Sequence, residues 1–289
     1  MAQTLSIIIP AKNEQQGLAA LLPKLRALYP TSEIIVVNDG SVDDTVDVCK
    51  QNQVKIISHP YSMGNGAAVK TGARAATGER LMLMDADGQH DPEDIARLLE
   101  KMEEGFEMVV GARTSDSQAS IGRWLGNSVY NRLASWVVGK KINDLTSGFR
   151  AVYTEKFCEF LDLLPNGFSY PTTITMAFFR SGYGVGYVPI RASTRSGDAK
   201  SHIRLLTDGT RFFLIIFRVG TLYSPLKIFF PISLAHFVVG ATYYAYTYVT
   251  YGRFTNMSAL LLVVSVLIFL IGLVSEQITM LLYSERRTK

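Results

Sequence analysis

The chain has 289 residues, which is enough for one substantial domain and a small additional segment. Its formal net charge of +4 is mild, and basic residues gather beside apolar stretches. This pattern indicates attraction to anionic lipid and argues against nucleic-acid binding. Two cysteines, Cys49 and Cys158, are too few and too far apart for a disulfide framework or a cysteine metal cluster.

Short apolar runs alternate with helical patterns over roughly the first two-thirds of the chain. The predicted strands are residues 5–10, 33–38, 54–58, 81–84 and 107–110. The predicted helices are residues 14–28, 42–52, 65–76 and 92–104. This alternation predicts an α/β fold with a mainly parallel sheet and helices on both faces. Ligands of such sheets bind at the carboxyl ends of the strands.

Two of these helices carry start signals. Asp91 is predicted to cap the helix that follows it, with Pro92 in the first turn. Ser41 is predicted to cap the helix at residue 42, and Asp44 completes a capping-box spacing.

The C-terminal part contains two long apolar stretches. Between Ile228 and Gly252 the only titratable side chain other than tyrosine is His236, and residues 254–275 contain no acidic or basic residue. Each stretch can cross the ~30 Å hydrocarbon core of a bilayer as a helix. We therefore predict a transmembrane hairpin over residues 227–289, with spans at about 228–250 and 256–276. The alternative, a pair of buried core helices, would need a large soluble body packed around them.

Basic residues flank both ends of this hairpin, and its connecting loop has only Arg253. They are Arg211, Arg218 and Lys227 before it, and Arg286, Arg287 and Lys289 after it. The positive-inside rule therefore predicts that both ends are cytosolic. The first residues do not resemble a signal peptide, so residues 1–200 are expected to be a cytosolic domain. Residues 201–226 mix arginines with aromatic residues and are predicted to lie along the membrane surface.

Polar loops follow the first, second and fourth predicted strands. Asp85-Ala86-Asp87 follows the fourth, and with Gln89 it offers oxygen ligands for a hard divalent cation. Such a cation can bridge diphosphate oxygens. The alternative is an ordinary acidic turn, but the other polar loops at the same sheet edge favour a metal site.

Two further loops are candidates for ligand binding. Asp39 ends the second strand and could accept hydrogen bonds from a nucleobase, or it could belong to a simple Asp-Gly turn. Gly64, Gly66 and Lys70 suggest a phosphate loop but fit neither common template, which leaves a glycine-rich turn with Lys70 directed at a nucleotide.

Four motifs together give a family resemblance. Residues 7–14 (IIIPAKNE), 37–45 (VNDGSVDDT) and 85–90 (DADGQH) resemble family 2 glycosyltransferases of the GT-A fold. Residues 144–150 (DLTSGFR) are similar to a signature of the polyprenyl-phosphate branch, which includes dolichyl-phosphate mannose synthases and undecaprenyl-phosphate glucosyltransferases. The motifs cover about residues 4–205, and the hairpin matches that branch only in architecture.

The resemblance implies roles for individual residues. Asp87, Arg113 and Arg195 are the expected catalytic residues, and Asp85, Asp87 and Gln89 are the expected ligands of Mg²⁺ or Mn²⁺. Arg113 is expected near the acceptor phosphate, with Arg123 a second candidate. Arg195 and Lys200 are expected to close over the diphosphate, although both could be simple juxtamembrane charges. The expected donor-binding residues also include Pro10, Asn13, Glu14, Asp39, Lys70, Asp85 and Ala86.

The resemblance also implies a reaction. A lipid phosphate has a second pKa of about 6 and needs no general base, and residues after Arg113 show no obvious base motif. We therefore expect inverting transfer of one hexose from a UDP- or GDP-sugar to polyprenyl phosphate. Alternatives are transfer to a lipid hydroxyl or lipid-linked sugar, and a non-catalytic membrane scaffold.

The expected location is the cytosolic face of the plasma or inner membrane in a prokaryote, or of the endoplasmic reticulum in a eukaryote. A homo-oligomer could form through Gly240 and Gly272 of the hairpin.

Overall fold

The computed structural model describes residues 4–113, 121–167, 169–191, 217, 220, 221 and 223–284, with only the backbone for 121–127 and 282–284. The described residues fall into two units. One lies within residues 1–132 and 140–209, and the other within 133–139 and 210–289. The predicted boundary at residue 200 and most of the predicted surface segment 201–226 lie outside the described residues.

A seven-stranded sheet forms the centre of the first unit. Its strands are β1 (Leu5–Ala11), β2 (Glu33–Asn38), β3 (Lys55–Ser58), β4 (Arg80–Leu83), β5 (Met108–Arg113), β6 (Arg150–Tyr153) and β7 (Val185–Ile190). Their order is β3-β2-β1-β4-β6-β5-β7, and only β6 runs antiparallel to its neighbours. The α/β class with a mainly parallel sheet is therefore confirmed.

Helices cover both faces of the sheet. They are α1 (Gln15–Leu28), α2 (Thr45–Gln51), α3 (Asn65–Ala75), α4 (Asp94–Glu103), α6 (Thr154–Cys158) and α7 (Tyr170–Arg180). A further helix, α5 (Ile121–Val138), begins in the first unit and ends in the second. Successive β2 residues enter different cores: Val36 packs with the leucines of α1, and Val37 packs with Ala68 of α3. This alternation follows from the two-residue period of a strand and explains why β2 is apolar throughout.

Strands β6 and β7 were not predicted from the sequence. Strand β6 is four residues long and begins with Arg150, and β7 contains Gly186 and Pro189. A charged residue, a glycine and a proline all weaken the apolar pattern by which a buried strand is recognised.

The two predicted helix caps are wrong. Helix α2 begins at Thr45, and Ser41 instead accepts a hydrogen bond at Oγ from Asn13 N, 2.9 Å away. Helix α4 begins at Asp94, and Asp91 Oδ1 accepts from Glu93 N at 3.1 Å in the turn before it. Both side chains organise the loop that precedes the helix, because short polar side chains bond readily to nearby backbone N–H groups.

The second unit contains two long helices, α8 (Pro225–Tyr251) and α9 (Asn256–Ser284). Their buried seam is lined by small residues at seven-residue intervals: Ser233, Gly240 and Thr247 on α8, and Ser258, Ser265, Gly272 and Thr279 on α9. Ser233 Oγ donates to Ser265 O at 2.7 Å, and a β-carbon on Gly272 would lie 2.6 Å from Phe229 Cβ. Small residues allow this close packing without a hydrophobic driving force, as in membrane helix pairs.

The outer faces of both helices are apolar and exposed. In the most apolar stretch of each helix only 11% and 17% of the residues are buried, so these are not core helices of the described chain. Both are long enough to cross a membrane. The predicted two-helix hairpin is therefore confirmed, and its helices are a few residues longer than the predicted spans.

Candidate active site

The loops after β1 and β2 are joined at the carboxyl edge of the sheet. Asn13 N donates to Ser41 Oγ, and Val42 N donates to Asn13 Oδ1, both at 2.9 Å. Asn13 has a φ of 56°, a left-handed conformation that asparagine tolerates better than most residues. Glu14 N donates to Thr45 Oγ1 at 3.1 Å. The predicted donor-site residues Asn13 and Glu14 thus lie on a loop that is fixed by its neighbour.

Asp39 organises the loop after β3. Its Oδ1 accepts from His59 Nδ1 at 2.8 Å and Met63 N at 2.7 Å, and its Oδ2 accepts from Ser62 Oγ at 2.8 Å and Gly64 N at 2.9 Å. Burial alone would raise the pKa of Asp39, but these hydrogen bonds outweigh it and lower the pKa to about 2. The side chain is therefore a buried carboxylate.

These four bonds bear on the predicted contact with a nucleobase. A carboxylate has about four acceptor positions, and residues 59–64 use all four in Asp39. The structure thus gives Asp39 a loop-organising role at the predicted site, and direct recognition of a base stays a prediction.

The glycine-rich turn before α3 holds another loop of the protein. Gly66 N donates to Gly167 O at 3.2 Å, and Ala67 N donates to Asn166 O at 2.8 Å. Lys70 Nζ donates to Leu164 O at 3.1 Å and also to Asn166 Oδ1. The ammonium group of Lys70 therefore faces the loop at residues 164–167, and direct contact with a nucleotide stays a prediction.

The Asp85–Asp87 loop packs tightly against α1. Ala86 is 2% exposed, and a β-carbon on Gly17 would lie only 2.1 Å from Ala86 O. Asp87 is 6% exposed, and its Oδ1 accepts from Gln89 N at 3.1 Å. This turn brings the start of the Gln89 side chain beside the Asp87 carboxylate, the pair predicted as metal ligands.

The donor chemistry of this turn fits a hard divalent cation. Asp85, Asp87 and Gln89 carry side-chain oxygens, the ligand atoms that Mg²⁺ and Mn²⁺ prefer. Within the described residues no group of three or more His, Cys, Asp or Glu side chains could hold an ion by itself. The turn therefore suits a cation that shares its coordination with a diphosphate and water.

His90 lies behind the acidic loop. Its ring stacks on Phe149 with centroids 4.8 Å apart, and Nδ1 has no hydrogen-bond partner among the described residues. Burial lowers the pKa of His90, against the raising effect of Asp85 and Asp87. A neutral, stacked His90 joins the acidic loop to the 144–150 turn that carries Phe149.

Arg113 is held by Asp144. Its Nε donates to Asp144 Oδ2 at 2.8 Å and its Nη2 to Asp144 Oδ1 at 3.0 Å, with a further bond to Thr146 Oγ1 at 2.6 Å. Burial lowers the pKa of Arg113. The hydrogen bond and the negative charge of Asp144 raise this pKa by more than burial lowers it, so the net change is upward. These two bonds from Nε and Nη2 to one carboxylate fix the orientation of the planar guanidinium group. The Nη1 donors lie on a different side of the group from Asp144.

The 144–150 turn brings the acceptor-side and donor-side candidates together. A β-carbon on Gly148 would lie 2.8 Å from Asp85 Oδ2, and Asp85 also interacts electrostatically with Arg113. Asp144 was not predicted as the anchor of Arg113, although it is the first residue of the 144–150 motif.

The remaining candidates are placed only in part. Pro10 is half-buried near the end of β1. Arg123 lies on α5, with only its backbone described, and Arg195 and Lys200 lie outside the described residues.

Comparison with known families identifies the first unit. Residues 6–160 match the model of glycosyl transferase family 2. The chain belongs to glycosyl transferase family 2. It is therefore a glycosyltransferase, and the resemblance seen in its motifs is confirmed. Residues 224–281 match the GtrB C-terminal hairpin, which together with the two apolar helices indicates a membrane protein.

Curated relatives of this glycosyltransferase include enzymes of the polyprenyl-phosphate branch. Glycosyltransferase AglJ of Haloferax volcanii is 25% identical over 84% of this chain and 82% of its own length. Polyprenol monophosphomannose synthase of Mycolicibacterium smegmatis is 28% identical over 65% of this chain and 77% of its own length. Undecaprenyl-phosphate 4-deoxy-4-formamido-L-arabinose transferase of Klebsiella pneumoniae is 33% identical over 50% of this chain and 47% of its own length, so the match spans less than half of that relative.

Solved structures support the GT-A-like fold. Glucosyl-3-phosphoglycerate synthase of Mycobacterium tuberculosis, in complex with Mn²⁺, UDP-glucose and phosphoglyceric acid, has a TM-score of 0.61 at 17% identity. The superposition covers 76% of this glycosyltransferase and 80% of that chain. At this identity the similarity concerns the fold alone.

Proposed function

We propose that this glycosyltransferase transfers a single hexose from a UDP- or GDP-linked sugar to polyprenyl phosphate, with inversion at the anomeric carbon. The observation that carries the proposal is the 144–150 turn, in which Asp144 fixes Arg113 while Gly148 packs against Asp85. One turn thus contacts both Arg113, whose charge suits a phosphate acceptor, and Asp85, whose carboxylate suits a metal-dependent donor site. Relatives named for polyprenol and undecaprenyl phosphate support this acceptor class.

Each side of the site has a distinct task in this proposal. Pro10, Asn13 and Glu14, with the loop that Asp39 organises, hold the nucleoside. Asp85, Asp87 and Gln89 would hold Mg²⁺ or Mn²⁺, which neutralises charge on the departing diphosphate. Arg113, supported by Asp144, orients the acceptor phosphate through charge-assisted hydrogen bonds. Arg123, Arg195 and Lys200 are proposed to add positive charge around the two anions.

The acceptor explains how the reaction proceeds without a dedicated base. A phosphate monoester is mostly ionised at neutral pH, so its oxygen can attack the anomeric carbon directly. The main barrier that the protein must lower is the repulsion between two anionic substrates, and fixed arginines in a partly buried site do this well.

The hairpin is proposed to hold the catalytic unit, residues 1–200, at the cytosolic face. Residues 201–226 would lie at the membrane surface, and residues 227–289 would cross and re-cross the bilayer. The basic residues on both sides of the hairpin support this orientation. Association of several copies through α8 and α9 is a further proposal, and it would use their exposed outer faces, because Gly240 and Gly272 pack inside the seam of one hairpin.

Purified protein should be assayed with a panel of radiolabelled UDP- and GDP-sugars, with polyprenyl phosphate, polyprenol and diacylglycerol as parallel acceptors. We expect Mn²⁺- or Mg²⁺-dependent labelling of polyprenyl phosphate only. Labelling of the alcohols at an equal or greater rate would overturn the acceptor assignment. Donor binding without transfer to any acceptor would instead favour a non-catalytic role for this chain.

A further inference from the structure

Arg150 is a completely buried cation whose described hydrogen-bond partners are neutral. Its side chain is 0% exposed at the start of β6. Nη1 donates to Pro171 O and Thr175 Oγ1, both at 3.1 Å, and Nη2 donates to Ser147 O. Nε has no partner among the described residues.

This arrangement is costly for the fold. Moving a guanidinium group out of water carries a large desolvation penalty, and neutral oxygens offset less of that penalty than a carboxylate would. Burial accordingly lowers the pKa of Arg150, while Tyr170, Asp144 and Asp85 raise it from longer range. A fully buried cation with no carboxylate partner among the described residues calls for an explanation beyond stability.

The contacts of Arg150 lead directly to the proposed active site. The guanidinium joins α7, through Pro171 and Thr175, to the carbonyl of Ser147 in the 144–150 turn. The next residue, Gly148, lies so close to Asp85 that a β-carbon would be 2.8 Å from Oδ2. Any movement of the Ser147 carbonyl would therefore move the surface against which Asp85 rests.

We propose that Arg150 is a positioning residue for sugar transfer, which acts through the 144–150 turn to fix the Asp85 carboxylate relative to Arg113. The proposal rests on the assignment of Asp85 and Arg113 to the donor and acceptor sides. The planar fork of arginine suits this task, because it can hold the turn and α7 at the same time. A lysine would keep the charge but has a single flexible donor group.

The test uses Arg150→Lys and Arg150→Met in the full-length protein, with Arg80→Lys and Arg80→Met as matched controls. Arg80 is also a buried arginine, 6% exposed. It differs in lying at the amino end of β4, away from the candidate site, and in pairing with Glu103 at 2.5 Å. Three quantities are measured: the melting temperature, kcat for sugar transfer, and the Mn²⁺ concentration that half-saturates the thermal shift with UDP or GDP.

We expect both Arg150 variants to lose about 10- to 100-fold in kcat, the range that small misplacements of catalytic groups produce. We also expect a higher half-saturating Mn²⁺ concentration, even in Arg150→Lys, where the charge is kept. The Arg80 variants should melt earlier but keep wild-type kcat and Mn²⁺ response. Wild-type values in Arg150→Lys, or equal losses in the Arg80 variants, would overturn the proposal.

A double variant separates this proposal from the assignment of the reaction. If Arg150 acts through Gly148, then Gly148→Ala and Arg150→Lys should not add, and the double variant should lose little more than the worse single variant. The Mn²⁺ response can be measured without an acceptor, so it tests Arg150 even if polyprenyl phosphate proves to be the wrong acceptor. Fully additive losses would show that Arg150 does not act through this turn.

Discussion

The carbonyl oxygen of Ala86 occupies the space that a side chain on residue 17 would need, with only 2.1 Å to an ideal β-carbon of Gly17. In an ordinary helix, Gly→Ala stabilises by up to about 1 kcal/mol. Here we expect Gly17→Ala to destabilise the protein by about 1 to 3 kcal/mol, because α1 or the acidic loop must move. Thermal unfolding gives the sign, and a raised melting temperature would contradict the prediction.

Asp87 should be required for metal-dependent turnover. We expect Asp87→Ala to lower kcat by at least about 100-fold, because removal of one charge-stabilising group typically costs that much. Activity should be followed over a Mn²⁺ titration. Asp91→Asn is the matched control: Asp91 is exposed, its bond to Glu93 N can be kept by asparagine, and full activity is expected. Full Mn²⁺-dependent activity in Asp87→Ala would exclude a role for Asp87 as a metal ligand.

Removing the charge of Asp144 should affect the acceptor more than the donor. In Asp144→Asn the fork that holds Arg113 loses its charge, so we expect a raised KM for polyprenyl phosphate and a nearly unchanged KM for the sugar nucleotide. The variant should also lose about 3 kcal/mol of stability, because one partner of a mostly buried ion pair loses its charge. Equal changes in both KM values would argue against a specific role of Arg113 at the acceptor.

Glu33 should make the stability of the protein depend on pH. It lies at the start of β2, at the end of the sheet away from the candidate site. Burial raises its pKa, but bonds from Ser6, Lys55 and Thr77 lower it to about 2. Because the pKa is lowered on folding, this stabilisation is complete above about pH 4.5 and is lost as the pH falls towards 2.

Glu33→Gln should therefore melt earlier than wild type at neutral pH, and the difference should shrink in acid. A loss on the order of 2 to 3 kcal/mol follows from about 1.4 kcal/mol per pKa unit, discounted for partial exposure. Melting curves between pH 7 and pH 3 measure it, with Asp47→Asn as a control, since the ion pair of Asp47 with Lys50 is exposed. A difference that is constant over this range would contradict the prediction.

The hairpin should depend on the small side chains of its seam. We expect Gly272→Leu to separate α8 from α9, because even a β-carbon would lie 2.6 Å from Phe229 Cβ. In Val274→Leu the added methylene would lie on an exposed face and should be tolerated. Thermal unfolding in detergent or nanodiscs compares the two variants. Equal melting temperatures would show that the seam is not tightly packed.

The sequence predicted those parts of the fold that depend on local pattern. Apolar runs located β1 to β5 within a few residues, and α1 to α4 lie between them as expected. Strand β6 was missed because Arg150 breaks its apolar pattern, and the reason for that arginine is a set of contacts from residues far along the chain. Non-local partners of this kind leave no periodic signal.

The candidate site was predictable as a list of residues and much less so as an arrangement. Strand position placed Asp85 and Asp87 at the carboxyl edge of the sheet, where the structure has them. The partners of Asp39 and Lys70 could not be read from the sequence, since each depends on how a loop more than 20 residues away folds back. A polar side chain in a ligand-binding motif can therefore form hydrogen bonds to a neighbouring loop of the protein instead of to the ligand.

The seven-residue spacing on α8 and α9 creates an ambiguity that the hairpin must resolve. If one helix slid past the other by seven residues, about 10 Å, small residues would again face each other along much of the seam. The four-residue connection at 252–255, in which Gly252 has a φ of 61°, would have to straighten towards its full length to follow that displacement. At the end of the hairpin away from this connection, Glu276 Oε2 accepts a hydrogen bond from Leu226 N at 3.3 Å, which favours the observed alignment of the two helices. Lengthening the 252–255 connection by about seven residues would therefore give this protein two competing hairpins in the same bilayer.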